Sequence, residues 1–344
     1  MLTSIPFFTK RYAIINAFKA SVASLIAYFI GLLLGTWLQE PRMYTWIVIT
    51  VLVIMSSQPN LGGALDKALM RMLGTIIGAA VSIISLLALS NWHTLQILVC
   101  LIFIFIGVYV ATTSKKYTYV GVLGAITVGM ILMAEHTTIT FALYRSFEVL
   151  LGACIALLTN RYLLPIKASK RIIEAYKNTV FCIQQLHQKL FQKDAYENVL
   201  SDTFSLFSQQ IALQKEIKLE TKRNLDCYKE ITHLTRRLYR YVCVVYEYIH
   251  NYPQKHERFS HQPEFIQLHN LIDKALIDLA NNFHNHHLKR TLSLDTIQTQ
   301  LEAFKQTLNL ESRFHHASTL IFSLETIITT IKGIDQAQKQ LFAT

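Results

Sequence analysis

A long stretch of this chain has no charged side chain. The 43 consecutive residues from Met72 to Ser114 include no Asp, Glu, Lys or Arg. One membrane-spanning helix needs about 20 apolar residues, so this stretch is long enough for at least two spans. Between Tyr44 and Ile166, charged residues occur only where one apolar block ends and the next begins. This pattern predicts a polytopic membrane domain in the first half of the chain.

Acidic residues are also scarce in that half, which excludes several kinds of membrane enzyme. Residues 1–165 contain four dispersed acids, namely Glu40, Asp66, Glu135 and Glu148. Enzymes that hold Mg²⁺-diphosphate need clustered carboxylates. The chain has no GxxxxGKS/T phosphate-binding loop and no GxSxG or HExxH motif, which argues against ATP-driven transport and hydrolytic chemistry by the chain itself. We therefore predict no enzymatic activity, no catalytic residue, no cofactor and no metal site.

Paired cysteines are missing as well. The chain has five cysteines and no CxxC pair, the five being Cys100, Cys154, Cys182, Cys227 and Cys243. An odd, scattered set argues against a disulfide framework and favours a reducing compartment for the second half. The first apolar run, Ala20–Trp37, is longer than the apolar core of a typical signal peptide, so we interpret it as the first span.

Charge divides the chain into two unlike parts. Residues 166–344 carry 23 Lys and Arg and 18 acids, dispersed as on a soluble surface. The net charge of +11 is shared between both parts, which is too diffuse for a nucleic-acid partner and favours a basic collar against anionic lipids. We predict a six-helix transmembrane domain over residues 1–166 and a cytoplasmic all-helical domain over residues 167–344.

The apolar blocks predict six helical spans near residues 14–38, 43–58, 68–90, 95–112, 117–134 and 143–164. With the N-terminus in the cytoplasm, the inner segments carry eleven basic residues and the outer loops carry two. This bias is a strong positive-inside signal. It places both termini on the cytoplasmic side of the inner membrane.

Beyond Pro165, which ends the sixth helix, the hydrophobic pattern becomes amphipathic. Helical stretches are predicted near residues 168–193, 196–220, 225–251, 262–284, 293–309 and 315–342. No strand-like alternation is sustained. The fold class is therefore all-α, with the second half forming a helical bundle on its own or with a second copy.

A weak internal repeat occurs at an offset of 74 residues. The segment RMLGTIIGA (71–79) aligns with RSFEVLLGA (145–153), and its Arg, Gly and Ala positions match. Each repeat would contain three spans, which gives the inverted arrangement found in many transporters. Chance similarity between apolar helices is an equally good explanation of so few identities.

The segment Ser56–Ala79 is the most informative motif. Gln58-Pro59-Asn60 ends a short second span, and Gly62-Gly63 permits a sharp turn before Lys67 and Arg71 open the third span. Gly74 and Gly78 are four residues apart, a spacing that allows close helix contact. One interpretation is a cytoplasmic hairpin with a packing face. The alternative is that Arg71 faces a cavity and meets an anion.

This segment resembles the fusaric acid resistance (aromatic acid exporter) superfamily. The resemblance depends on the Pro-containing turn and on KALMRMLGTIIGA (67–79), in which Lys67, Arg71, Gly74 and Gly78 match the motif. It implies export of organic, including aromatic, anions. A more distant similarity to plant aluminium-activated malate transporters implies a homodimer with a pathway lined by basic residues. Many members are about twice as long, which also favours dimerisation of this shorter chain.

Other ionisable residues of the first half have two interpretations each. Arg145 and Glu148 share a helix face, either as a local salt bridge or as an anion-attracting and proton-exchanging pair. Lys19 either extends to the membrane interface or faces a vestibule. The candidate substrate-binding residues are thus Arg71, Lys67, Lys19, Arg145, Glu148 and Gln58, and the candidate structural residues are Pro59, Gly62, Gly74, Gly78 and Gly152.

In the second half, Arg236 and Arg240 share one face of a helix beside Arg237. A solvated helix face is the ordinary explanation. Contact with anionic headgroups or with a substrate exit is the alternative.

The function predicted from these patterns is export of organic anions across the inner membrane, driven by the membrane potential or a proton gradient. An anion channel is one alternative. Another is a non-transporting scaffold whose cytoplasmic helices bind a partner protein.

Overall fold

A computed structural model describes residues 7–40, 42–56, 60–90, 92–114, 116–134, 138–191, 196–220, 224–251, 262–283, 294–310 and 318–343. These residues form twelve α-helices and contain no strand, so the all-α prediction is confirmed for them. The chain divides into two compact units, Met1–Lys167 and Ala168–Thr344. We call them the apolar unit and the amphipathic unit.

The described residues of the apolar unit form six helices: α1 (Phe7–Trp37), α2 (Met43–Met55), α3 (Leu61–Ala88), α4 (His93–Thr113), α5 (Thr118–Leu132) and α6 (Ile139–Tyr162). Helices α1, α3, α4 and α6 are long and apolar enough to cross a membrane. Many of their large apolar side chains face outward, such as Leu33 (68% exposed) and Phe105 (74% exposed). Exposed apolar surface of this extent is typical of a lipid-facing or partner-facing protein.

Helices α2 and α5 are shorter than the other four. They have 13 and 15 residues, which corresponds to about 20 and 22 Å at 1.5 Å per residue. The hydrocarbon core of a bilayer is about 30 Å thick. Among the described residues of the apolar unit, four helices therefore have spanning length and two apolar helices are shorter.

The helix bounds differ from the predicted spans mainly at the N-termini of α1 and α3. Helix α3 begins at Leu61 rather than near residue 68, and Asn60, whose backbone is extended, is its N-cap residue. The turn predicted at Gly62-Gly63 is therefore wrong, since both glycines are buried inside the first turns of α3. Lys67 and Arg71 consequently lie well within α3 and not at its start.

In the apolar unit, helices of the first three-helix group of the weak repeat pack against helices of the second group. Helix α3 packs chiefly against α5, and α6 packs about equally against α3 and α2. Helices α1 and α2 pack together, as do α4 and α5. Each short helix is thus packed against the last helix of the other three-helix group, as a two-fold related pair of repeats would require.

The amphipathic unit contains α7 (Ala168–Gln188), α8 (Tyr196–Glu220), α9 (Leu225–Asn251), α10 (Pro263–Asn282), α11 (Leu294–Leu310) and α12 (Ser318–Ala343). Helices α9 and α12 pack together, and α7 contacts α8, α9 and α10. The helices bury one continuous apolar core, to which Ile172, Ile183, Leu276 and Ile331 contribute fully buried side chains. This burial is what the spacing of apolar residues in the second half predicts.

Two polar networks lie inside that core. The Tyr176 hydroxyl donates to the Tyr228 carbonyl oxygen at 2.6 Å. Between α7 and α10, His187 stacks on His269 with ring centroids 4.3 Å apart, and its Nδ1 lies 3.5 Å from Asp273 Oδ1. Burial, and secondarily the neighbouring His187, lowers the pKa of His269 to about 4. His269 is therefore neutral at physiological pH.

Candidate functional site

Lys19 lies in the interior of the apolar unit. Its side chain is 0% exposed, and its Nζ donates a hydrogen bond to Asn160 Oδ1 of α6. Asn160 Nδ2 lies 3.4 Å from the carbonyl oxygen of Asn60, the N-cap residue of α3. This chain of contacts joins α1, α6 and the start of α3.

This position corrects one interpretation of Lys19. A lysine that extends to the membrane interface keeps its ammonium in water, whereas the Lys19 ammonium is enclosed by protein. An amide oxygen compensates for only part of the cost of removing an ammonium from water. Lys19 is thus a buried cation with a neutral partner.

Arg71 is the second buried cation of this region. Its side chain is 4% exposed, and its Nη2 lies 3.5 Å from Thr50 Oγ1 of α2. Its Nε is buried and has no hydrogen-bond partner among the described residues. The guanidinium therefore retains donor capacity for a further acceptor.

Lys67 lies one helical turn before Arg71 on α3 and is also buried. Its Nζ lies 4.8 Å from the centre of the Tyr119 ring of α5, which is the geometry of a cation–π contact. We call Lys19, Lys67 and Arg71 the α3 basic group, because Lys67 and Arg71 lie on the N-terminal half of α3 and Lys19 is linked through Asn160 to its N-cap residue.

Ion pairs do not neutralise the α3 basic group. Within the described ranges, none of its three cations lies within salt-bridge distance of a carboxylate. Charges buried in apolar surroundings are costly unless they are paired. An anion that enters beside α3 would thus find Lys67 and Arg71 one helical turn apart, and Arg71 has an unused buried donor.

Arg145 and Glu148 form a pair within α6, as the salt-bridge interpretation predicts. Arg145 Nη1 lies 2.6 Å from Glu148 Oε2, and their side chains are 12% and 2% exposed. The guanidinium also lies over the rings of Phe141 and Trp46, at 4.6 and 5.4 Å from their centres. The Arg145 cation is therefore compensated locally, unlike the α3 basic group.

The candidate structural glycines of α3 and α6 lie where helices approach closely. A Cβ on Gly74 would lie 2.9 Å from the Val120 carbonyl oxygen, and one on Gly78 would lie 2.7 Å from that of Gly124. On α6, a Cβ on Gly152 would lie 2.7 Å from the Ile47 carbonyl oxygen and 2.8 Å from Thr50 Cβ. Any side chain at Gly152 would thus displace the helix that carries the hydroxyl partner of Arg71.

Sequence reasoning missed the neutral partners of the basic group. Thr50 and Asn160 were not singled out, although each is a polar residue within an apolar run. The predicted residues Gln58 and Pro59 lie outside the described part of the chain. In the portion that the structure describes, no three His, Cys, Asp or Glu side chains are grouped so that they could hold a metal ion.

An apolar helical unit with buried basic side chains that have no carboxylate partner among the described residues, followed by a helical unit with a soluble-type core, defines a class of membrane protein with an accessory helical domain. The model of the fusaric acid resistance protein family matches residues 13–342, so the chain belongs to this family. This match confirms the resemblance noted from residues 67–79.

Two curated proteins are similar over part of the chain. Inner membrane protein YeeA of Escherichia coli (strain K12) is 27% identical over 149 residues, which cover 43% of this chain and 40% of that protein. The p-hydroxybenzoic acid efflux pump subunit AaeB of Pectobacterium carotovorum subsp. carotovorum (strain PC1) is 28% identical over 167 residues, which cover 45% of this chain and 24% of that subunit. The chain thus matches less than half the length of either relative.

Proposed function

We propose that this protein exports organic anions, including aromatic carboxylates, across the inner membrane. The observation that carries the proposal is the α3 basic group, three buried cations that have no carboxylate partner among the described residues. Retaining such charges inside an apolar unit costs free energy, and intramembrane ionisable groups commonly mark ion or substrate pathways. The family membership and the similarity to AaeB support efflux as the direction of transport.

The proposed topology has six spans, with the short helices α2 and α5 crossing a locally thinned or protein-lined part of the bilayer. Lys and Arg are in excess in the segments that this topology places on the cytoplasmic side, which supports cytoplasmic termini. The α3 basic group then lies in the cytoplasmic half of the apolar unit. It would concentrate anions at the cytoplasmic entrance.

The energy source in this proposal is the membrane potential or the proton gradient. Moving one elementary charge through 100 mV is worth about 2.3 kcal/mol. An anion leaves a cytoplasm of negative potential downhill in that field. The chain is further proposed to act as a homodimer in contact with anionic lipids, since many family members carry two such units.

The test is transport by purified protein in liposomes loaded with radiolabelled p-hydroxybenzoate. We expect Arg71→Ala to lower the initial rate at least tenfold, because the loss of a charged hydrogen bond costs about 1.5–3 kcal/mol. Arg161→Ala removes the same charge from an exposed position of α6 and serves as the matched control. Unchanged transport by correctly inserted Arg71→Ala protein would remove Arg71 from the mechanism.

The same liposomes separate the proposed exporter from its alternatives. Saturable flux that follows an imposed pH gradient indicates a coupled carrier. Current that follows the voltage alone, without coupling, indicates a channel. Absence of flux through the wild-type protein under both gradients would leave the scaffold as the better explanation.

A further inference from the structure

A groove between α8 and α9 of the amphipathic unit has no role in the proposed transport pathway. Its volume is about 660 Å³, which is within the range of small-molecule sites. Aromatic residues form its wall and two arginines form part of its rim. The groove lies entirely within one unit, so its geometry depends only on the packing of those helices.

The wall of the groove is a small aromatic cluster. Phe204 and Phe207 of α8 each meet Tyr239 of α9 edge to face, with ring centres 5.8 and 5.4 Å apart. Phe204 is 56% exposed although it is a large apolar side chain. Burial raises the pKa of Tyr239 above its usual range, so this wall carries no charge at physiological pH. A flat apolar body would cover the exposed ring and extend the edge-to-face packing.

The rim supplies positive charge. Arg236 and Arg240 are one turn apart on α9, and the Arg236 guanidinium lies 5.8 Å from the centre of the Phe207 ring. Neither arginine forms an ion pair with a described residue. Glu247 is the acid of the lining, and its Oε2 lies 3.4 Å from Asn251 Nδ2. Two guanidiniums against one carboxylate leave an excess of positive charge.

We infer that this groove binds an aromatic monocarboxylate, with the ring against Phe204 and Tyr239 and the carboxylate on Arg240 and Arg236. Guanidinium groups bind carboxylates through parallel hydrogen bonds that fix their orientation. The apolar wall selects for a ring, and the rim selects for a negative charge at one end of it. The site is separate from the α3 basic group, so it does not depend on the transport proposed for that group.

The direct test is isothermal titration calorimetry, in which 1-naphthoate is added to the full-length protein in detergent and its dissociation constant is measured. We expect Arg240→Gln to weaken binding about tenfold, as the loss of one charge-assisted hydrogen bond requires. Phe204→Ser should weaken it as well, because it removes the exposed ring. Arg237→Gln is the matched control, because Arg237 is adjacent and exposed but does not line the groove.

The same experiment includes two controls. One tests which chemical groups of the ligand are needed, and the other tests whether the ligand binds at the α3 basic group instead. Benzyl alcohol and cyclohexanecarboxylate should compete poorly, since the first lacks the charge and the second lacks the aromatic ring. Arg71→Ala protein should still bind 1-naphthoate in the groove even where transport is lost. The inference is overturned if Arg240→Gln and Arg237→Gln bind equally well.

A second copy of the chain is the competing occupant, and light scattering on the same samples distinguishes it. If Phe204→Ser and Arg240→Gln convert a dimer to a monomer while naphthoate binding is unchanged, the groove is an interface between copies and the inference fails. An unchanged oligomeric state with weakened binding supports the ligand site.

Discussion

Lys19 and Asn160 allow a test of whether the α3 basic group is kept for function rather than for stability. The single change Asn160→Leu removes the amide that accepts from the Lys19 ammonium. The double change Lys19→Met with Asn160→Leu removes both polar partners and leaves side chains of similar size. The two variants differ only in whether a buried cation remains.

The expected stabilities of these variants have opposite signs. Asn160→Leu leaves the fully buried ammonium without its side-chain acceptor, a loss of about 1.5–3 kcal/mol for a hydrogen bond to a charged group. Replacing both members of a buried hydrogen-bonded pair by apolar side chains of similar shape is nearly neutral or stabilising. At about 2–4 °C per kcal/mol for a unit of this size, the single variant melts several degrees below the wild type. The double variant should melt at or above it.

The apolar unit has a built-in reporter for this measurement. All three tryptophans of the chain, Trp37, Trp46 and Trp92, belong to it. Thermal unfolding in detergent, followed by tryptophan fluorescence, therefore reports on this unit without signal from the amphipathic unit. Transport of p-hydroxybenzoate is measured in parallel, and both variants should be impaired.

Two results would refute the reasoning. A double variant that is less stable than Asn160→Leu would mean that the Lys19 charge itself stabilises the unit. Normal transport by the double variant would mean that the Lys19 cation has no part in anion passage.

Three further predictions concern other residues. Gly152→Leu should lower the free energy of unfolding of the apolar unit by about 1–3 kcal/mol, and its melting temperature should fall accordingly. Gly129→Ala should be nearly neutral, because a Cβ there meets nothing within 4 Å. Equal melting of the two variants by tryptophan fluorescence would contradict this. Acidification from pH 7 towards 4 should destabilise the amphipathic unit. The pKa of His269 is about 4 in the native state and about 6.5 in the unfolded state. The unfolded state therefore binds more protons than the native state in this pH window. Faster hydrogen exchange of α10 on acidification, reduced in His269→Phe, is the measurement. Glu148→Gln should abolish dependence of flux on a pH gradient if the carboxylate of the Arg145 pair exchanges the proton, and retention of that dependence would assign proton coupling elsewhere.

Hydrophobic patterning predicted the helices well and their N-terminal ends less well. The amphipathic stretches 196–220 and 225–251 coincide with α8 and α9, because apolar residues at helical spacing report the buried face directly. The start of α3 was missed by seven residues. Gly62 and Gly63 are weak helix formers in isolation, but burial within the first turns of α3 outweighs that propensity.

The partners of the candidate site residues were less accessible to sequence reasoning. A lysine at the edge of an apolar run has the same local pattern whether its ammonium reaches the interface or the interior. Its actual partner is Asn160, which lies 141 residues further along the chain. The Arg145–Glu148 pair was predicted because its members are three residues apart on one helix. Contacts within a helix can be derived from spacing, whereas contacts between distant helices require the fold.

The contact between Lys19 and Asn160 has a consequence for the biogenesis of the chain. Helix α1 emerges from the ribosome long before the acceptor of its lysine exists, because 141 residues separate the two. At translation rates of about 5–20 residues per second, this interval is roughly 7–28 s. During that time the Lys19 ammonium lacks this acceptor, so the packing of α1 against α6 cannot be completed before α6 has been synthesised. Lys19 thereby couples the final packing of the first helix to the synthesis of the sixth.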